Sequence, residues 1–388
     1  MSLGTITLKP GKEKPLRQKH HWIFSGAVAS IQGADDGALF QVVSSKGDSL
    51  GVAYANKKSS ILARMVSFEA GDPLQAIDRH LHSAISLRKH LISSNTTAYR
   101  VVNGEGDLLP GLIVDKYGDY LVIQISTLGM ERLKPLILDK LQSLLKPKGI
   151  LEKSELPSRK EEGLQPVTAI LSGTIPDQIE ILENGLKFLV EPQKGQKTGF
   201  FLDQREMRSH VREIAKGKCV LNCFSYTGGF SVYAAAGGAS SVDSADISKD
   251  ATELAKRNMA INGFNLPDAQ FHAEDVFEFL RNPLPYDLVI LDPPAFAKRA
   301  KDVVNGCRGY KEINRLAMQK MPKNSILITC SCSYHVDEEL FQKVVFQAAL
   351  EAGRNAKLIG RHRQAADHPV NLYHPEGDYL KSLILWLE

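Results

Sequence analysis

Four apolar runs in the second half of the chain constrain its fold more than any other feature: KCVLNCF (Lys218–Phe224), SSVDSAD (Ser240–Asp246), DLVILD (Asp287–Asp292) and SILITC (Ser325–Cys330). Each is strand-length, and helical patterns separate them. Strands that alternate with helices pair in parallel, because the crossover needs a helix to return the chain to the same edge. Apolar residues on both faces of such strands call for helices on both sides of the sheet. The region after Glu191 is therefore expected to be a doubly wound α/β domain whose ligand sits at the carboxyl ends of the strands.

The rest of the 388 residues reads differently. Over the first 70 or so residues, FQVVS (from Phe40), LGVAYA (from Leu50) and SILARMVSF (from Ser60) alternate between Gly, Asp and Lys turns, which predicts a small β-barrel. Apolar positions Leu74, Ile77, Leu81, Ile85, Leu87 and Leu91 predict an amphipathic helix from about Pro73 to Ser94. Strand-and-turn runs across Tyr99–Ser126 and a helix from Met130 to about Leu145 complete a central α+β module. The charged stretch Leu151–Pro166 is expected to be a solvated loop or linker. This divides the chain at 1–72, 73–185 and 186–388.

Composition excludes several classes. With 43% hydrophobic and 24% charged residues the chain can bury sizeable cores. It has no run of about 20 apolar residues, and its N-terminus has no apolar signal region, so no membrane is expected and a cytoplasmic location is. Five cysteines, at 219, 223, 307, 330 and 332, fit thiols in a reducing compartment rather than a disulfide framework, and their spacing gives no metal site. The net charge of +4 is compatible with a polyanion. Near the N-terminus Lys9, Lys12, Lys14, Arg17, Lys19, His20 and His21 precede Trp22 and Phe24. Cations interleaved with aromatics suit phosphate contact and base stacking, although for Trp22 and Phe24 a place in the core is the better reading.

The first strand of the α/β domain runs into NCFSYTGGF, a turn with Gly228 and Gly229 before an Ala-rich helix. The G-x-G-x-x-G spacing of a pyrophosphate site is absent. Asp246 ends the second strand, where a carboxylate can accept both ribose hydroxyls of an adenosine, and Asp275 ends the third, where one can accept from the adenine amino group; a helix cap is the plainer role for either. The fourth strand is followed by Asp292-Pro293-Pro294-Ala295-Phe296. The prolines fix an extended backbone, leaving carbonyls and the Asp292 carboxylate toward the cleft. In this order the features resemble the Rossmann-like S-adenosylmethionine methyltransferases, in which such a loop holds a nucleobase.

An exocyclic amino nitrogen attacks a methyl group unaided, whereas C5 of cytosine needs a thiolate to add first at C6. Cys330 and Cys332, in ITCSCSYHVDEEL beyond the next strand, are the candidate nucleophiles, and alternation alone does not choose between them. The motifs GQKTGFFLDQR (Gly195–Arg205), NCFSYTGGF, DPPAF, CRGYKEIN (Cys307–Asn314), CSCS, HRQAADHP (His362–Pro369) and PEGDYLK (Pro375–Lys381) together resemble the RlmI-type 23S rRNA (cytosine-C5)-methyltransferases, and HWIFSG (His21–Gly26) resembles the opening of that family's PUA domain.

The resemblance implies an N-terminal PUA RNA-binding domain, a central α+β module and a C-terminal catalytic domain, with S-adenosylmethionine as cofactor, large-subunit ribosomal RNA as partner and a homodimer as a compatible assembly. It implies Cys332 as nucleophile, ahead of the acidic Asp337, Glu338 and Glu339, with Cys330 second, and Asp292 on the cytosine edge. Asp203, Gln204, Phe224, Tyr226, Thr227, Gly228, Asp246, Ile247, Asp275, Val276 and Asp292 would line the cofactor site. Lys197, Arg205, Arg308 and Lys311 would join Lys9, Arg17 and His21 in contacting RNA. Two other readings stay open: an amino-nitrogen base methyltransferase in which the cysteines are bystanders, and a non-catalytic RNA-binding assembly factor.

Overall fold

The computed structural model describes residues 3–69, 71–265, 267 and 270–388. The chain forms two compact units, each assembled from separate stretches. The first comprises Met1–Asn184, Val190–Leu202 and Ala366–Gly377; the second comprises Gly185–Leu189, Asp203–Ala365 and Asp378–Glu388.

The first unit carries two sheets. A six-stranded sheet runs in the order Trp22–Ile23, Ala63–Ser67, Ser49–Ala55, Leu39–Val43, Gly4–Leu8, Val28–Gln32. Its inward side chains, among them Ile6, Leu8, Phe40, Val42 and Met65, form one core. A five-stranded sheet follows in the order Val167–Gly173, Gly149–Ser154, Tyr120–Ile125, Leu112–Tyr117, Ala98–Asn103. The helices Pro73–Leu91 and Leu128–Leu145 supply Ile77, Leu81, Met130, Ile137 and Leu141 to its core. Asp72 caps the first helix by accepting from Leu74 N, and Thr127 caps the second by accepting from Met130 N.

The stretch 151–166, expected to be a solvated loop, is instead a buried strand followed by a short helix, Pro157–Glu161. Glu155, Lys160 and Glu161 are exposed, but Glu152, Arg159 and Glu162 are interior because residues elsewhere in the chain satisfy them. Arg159 donates to Glu131, to the Ile125 carbonyl and to the Gln165 carbonyl. Glu152 accepts from Lys134, and Glu162 accepts from Arg64 and Asn56. Charges that are paired and hydrogen-bonded can be buried, and nothing in a linear count of charged residues distinguishes them from solvated ones.

The second unit holds a seven-stranded sheet in the order Phe271–Ala273, Ser241–Asp246, Cys219–Cys223, Leu288–Leu291, Ser325–Ser331, Lys381–Leu387, Ala356–His362. The first five strands are parallel and Lys381–Leu387 is antiparallel to both neighbours. Alternation splits the strands between two cores. Leu221, Val289, Leu291 and Leu327 pack with Tyr310, Ile313, Phe341 and Val345 of the helices Val303–Lys320 and Glu338–Glu351. Val220, Leu288, Ile290 and Ile328 pack with Met207, Val211, Phe230 and Ala234 of Arg205–Ile214 and Gly229–Ala236. Sequence order reverses between Cys219–Cys223 and Leu288–Leu291, and the carboxyl ends of those two strands flank the crevice where such sheets bind ligands.

Candidate active site

All the groups expected to handle cofactor and base that lie at this crevice belong to the second unit. After Cys223 the chain turns sharply: Phe224, Tyr226 and Gly228 all have positive φ, of 56°, 46° and 77°. Gly228 ends the turn as the N-cap of Gly229–Ala236. A Cβ on Gly228 would lie 2.8 Å from the Ala255 Cβ, so the close approach it allows is to the helix Lys249–Ile261. Asp246 pins the turn, with Oδ2 accepting from Tyr226 N at 2.8 Å and Oδ1 from Ser248 N at 2.9 Å. Asp275 is exposed and caps the helix Val276–Phe279 through Oδ1, which accepts from Phe277 N and Glu278 N. Val276 itself is buried in the core. Ile247, by contrast, leaves 73% of its surface exposed beside Asp246.

Asp203 and Gln204 are buried. Asp203 Oδ2 accepts from the Tyr379 hydroxyl at 2.6 Å, and Gln204 Nε2 donates to Asp292 Oδ1 at 3.0 Å. Gln204 thus orients the acid of the proline loop. Phe296 packs on Tyr310 with ring centroids 4.7 Å apart.

Burial separates the two cysteines. Cys330 is a fully buried strand residue in the core beneath Arg205–Ile214, and its Sγ accepts from the Ser382 hydroxyl at 3.2 Å. Burial, and then the Asp292 carboxylate, push its thiol well above the ordinary range. Cys332 lies just past the strand end, half-buried, with its Sγ 3.8 Å from the Pro293 carbonyl of the proline loop. Ser333 binds the two loops together: its Oγ accepts from Ala297 N at 3.0 Å and lies 2.8 Å from the Tyr310 hydroxyl.

Lys381, to which the sequence assigned no role, is nearly buried, and its Nζ donates to the carbonyls of Ser333 (2.8 Å) and Tyr379 (2.7 Å). Burial lowers its pKa, while negative charge at Cys332 works in the opposite direction. No sequence signal marks it beyond membership of PEGDYLK, because it arrives on an antiparallel strand about fifty residues downstream of Cys332. His335 is exposed, and Asp337 caps the helix Glu338–Glu351 by accepting from Leu340 N.

The expected RNA contacts fall on both units. In the first, Lys9 and Arg17 are exposed, with Lys9 donating to the Gly26 carbonyl and Arg17 paired to Asp48. Lys197 is exposed over the Phe201 ring. His21 is not a phosphate contact: it is buried against Phe68 and His374, and burial lowers its pKa to about 3, so it is neutral. Phe24, expected in the core, is half-exposed. In the second unit Arg308 is exposed and Lys311 pairs with Glu351. Arg205 is buried beside Glu206, which removes it from phosphate contact.

Residues 163–353 match the family described as S-adenosylmethionine-dependent methyltransferase, and residues 6–68 match the PUA-like domain family. Among solved structures, a SAM-dependent methyltransferase from Streptococcus mutans superposes with a TM-score of 0.84 at 26% identity, covering 98% of this chain and 99% of that one. A methyltransferase crystallised with SAH gives 0.84 at 27%, with the same coverage.

The residues present fit S-adenosylmethionine as cofactor. Ser225 Oγ and Thr227 Oγ1 in the turn, and Gln204 Oε1 beside Asp292, are buried polar atoms with no hydrogen-bond partner among the described residues, and the exposed Ile247 adds an apolar surface. Such a mixture suits a ligand that is part adenosine and part amino acid.

Curated relatives named ribosomal RNA large subunit methyltransferase I include those of Alteromonas mediterranea (41% identical, 98% of each chain), Aliivibrio fischeri (43%, 97% of this chain and 98% of that one) and Escherichia coli (40%, 97% of each). With that identity sustained over nearly the full length of both partners, the chain belongs to the ribosomal RNA large subunit methyltransferase I family, whose cofactor is S-adenosylmethionine.

Proposed function

We propose that this protein methylates C5 of a cytosine in large-subunit ribosomal RNA, using Cys332 as a covalent nucleophile. The observation that carries the reading is the contrast between the two thiols: Cys332 is half-buried against the Pro293 carbonyl, whereas Cys330 is sealed in the core. Residues 1–72 would supply RNA binding, 73–185 a connecting platform and 186–388 the chemistry, with the exposed Lys9, Arg17, Lys197 and Arg308 and the half-buried Lys311 meeting phosphates.

In this reading the cytosine lies along Asp292-Pro293-Pro294, its polar edge on the Asp292 carboxyl group, which Gln204 holds in place. The Cys332 thiolate adds to C6 while Asp292, in its acid form, gives its proton to N3, and the electron pair displaced from the C5–C6 bond makes C5 nucleophilic. S-adenosylmethionine, when bound, supplies the electrophilic methyl group. A base, water or a side chain at the crevice, then takes the C5 proton, Sγ leaves C6 as the thiolate, and N3 returns its proton to Asp292. The Lys381 ammonium, fixed on the Ser333 carbonyl, favours the thiolate over the thiol. Asp246, Tyr226, Thr227, Gly228, Ile247, Asp275 and Asp203 would hold the cofactor.

The test is single-turnover methylation of a 23S rRNA transcript with radiolabelled S-adenosylmethionine, with bisulfite mapping of the product. Cys332→Ala is expected to lose at least about 10³-fold in rate, and Cys330→Ala less than about 10-fold. An unchanged rate in Cys332→Ala would point instead to transfer onto an amino nitrogen. Failure of the intact protein to bind S-adenosylmethionine in calorimetry would favour an RNA-binding assembly factor.

A further inference from the structure

The first unit closes on itself through its returning segment Ala366–Gly377, which is anchored at two places. At one end Asp367 accepts from Arg100 N with its carboxylate and from Arg88 with its carbonyl, and the Pro369 carbonyl accepts from Asn103. At the other end His374 and Glu376 meet His20, 356 residues from Glu376 in sequence. His20 Nε2 lies 3.1 Å from Glu376 Oε1, and His374 Nδ1 lies 3.5 Å from Glu376 Oε2. One ligand atom from each of the three residues lies within 4.8 Å of the other two.

Two features separate this cluster from an ordinary ion pair. His374 is 2% exposed, and its Nδ1 is buried without a hydrogen-bond partner. The Glu376 oxygen that faces it is likewise buried and unpartnered. An imidazole nitrogen and a carboxylate oxygen held 3.5 Å apart with no hydrogen bond to either are spaced as two ligands of one cation are. Two imidazoles and one carboxylate are ligands that borderline divalent ions prefer, and bonds of about 2.0–2.1 Å in a tetrahedral site place neighbouring ligand atoms about 3.3 Å apart.

We propose that His20, His374 and Glu376 bind one divalent cation of the zinc class, which fastens the returning segment to the strand Trp22–Ile23. The site leaves its fourth position to solvent. Glu105, which accepts from the Trp22 indole N–H at 2.8 Å, lies in the surrounding shell. Coordination through His20 Nε2 moves that ring's proton to Nδ1 and so breaks the bond that Nδ1 now accepts from Trp22 N at 3.2 Å. The Trp22 ring, 4.5 Å from that of His374, therefore reports occupancy.

The experiment titrates the full-length, metal-stripped protein with Zn²⁺ by calorimetry and with Co²⁺ by absorption and tryptophan emission. One equivalent of Zn²⁺ is expected to bind, Co²⁺ to give d–d bands without an intense thiolate charge-transfer band, and emission to fall. His374→Ala and the near-isosteric Glu376→Gln, both checked for a wild-type melting curve in EDTA, are expected to weaken Zn²⁺ binding by at least about 100-fold. The proposal is overturned if the wild-type chain takes up no Zn²⁺ at 1 mM metal, if Glu376→Gln and His374→Ala both retain its affinity, or if the Co²⁺ spectrum is that of cysteine ligation.

Discussion

Lys381 and His21 show how a single side chain sets the chemistry around it. Lys381 holds its ammonium on the Ser333 carbonyl, where it interacts with the charge on Cys332, so Lys381→Met is expected to raise the thiol pKa of Cys332 and to slow its alkylation at pH 7.5 about tenfold. Peptide-resolved alkylation over a pH series measures this, and rescue by Lys381→Arg separates charge from packing. His21 is neutral in the fold with a pKa near 3, against 6.5 when unfolded. Between those values the unfolded chain binds the extra proton, so stability from this group is present at pH 7 and falls as pH drops through that window. The loss is about 2 kcal/mol between pH 7 and 5. Urea midpoints at the two pH values should show it, and His21→Phe should remove it. Neither role was legible in sequence. Cationic and aromatic neighbours made His21 look like a phosphate contact, and only the packing of Phe68 and His374 on its ring neutralises it. The cysteines were equivalent by alternation, and it took the helix Arg205–Ile214 to seal one of them in.

Elements were more legible where apolar periodicity governs them. Leu288–Leu291 and the helix beginning at Pro73 lie where the pattern of apolar residues puts them, because burial of an apolar face is what fixes those elements. The glycine turn was visible as a turn, but the partner that demands Gly228 was not. Gly228→Ala forces a left-handed φ on alanine and a 2.8 Å contact with Ala255, and it should cost about 2–4 kcal/mol and lower S-adenosylmethionine affinity in the same calorimetric assay. The strand and helix between Gly149 and Glu161 escaped sequence reading because their charges are compensated by residues far away in the chain. Arg159→Ala leaves Glu131 and Glu152 to Lys134 and takes the donor from the Ile125 and Gln165 carbonyls, and about 1–3 kcal/mol should be lost from the first unit's urea transition.

At the scale of the whole molecule the chain visits each unit more than once, and this no local pattern could announce. The last stretch supplies Lys381–Leu387, the strand between Ser325–Ser331 and Ala356–His362, and with it both Ser382 on Cys330 and Lys381 on Ser333. Ending the chain at Gly377 should therefore abolish the second unit's cooperative melting, read by calorimetry, while a transition from the first unit persists. What sequence did convey at this scale was the order of the chemistry: turn, Asp246, Asp275, DPP and CSC follow one another along the chain and lie at successive strand ends of one sheet. The proposed bond from Cys332 to C6 of the target base is tested directly by 5-fluorocytosine-substituted rRNA, since fluorine at C5 cannot leave as a proton does. With S-adenosylmethionine present, the wild-type and Cys330→Ala proteins should form a covalent RNA adduct stable to denaturing electrophoresis, with mass spectrometry locating it on Cys332. An adduct formed by Cys332→Ala, or none formed by a wild-type protein that methylates the unsubstituted RNA, would contradict the account.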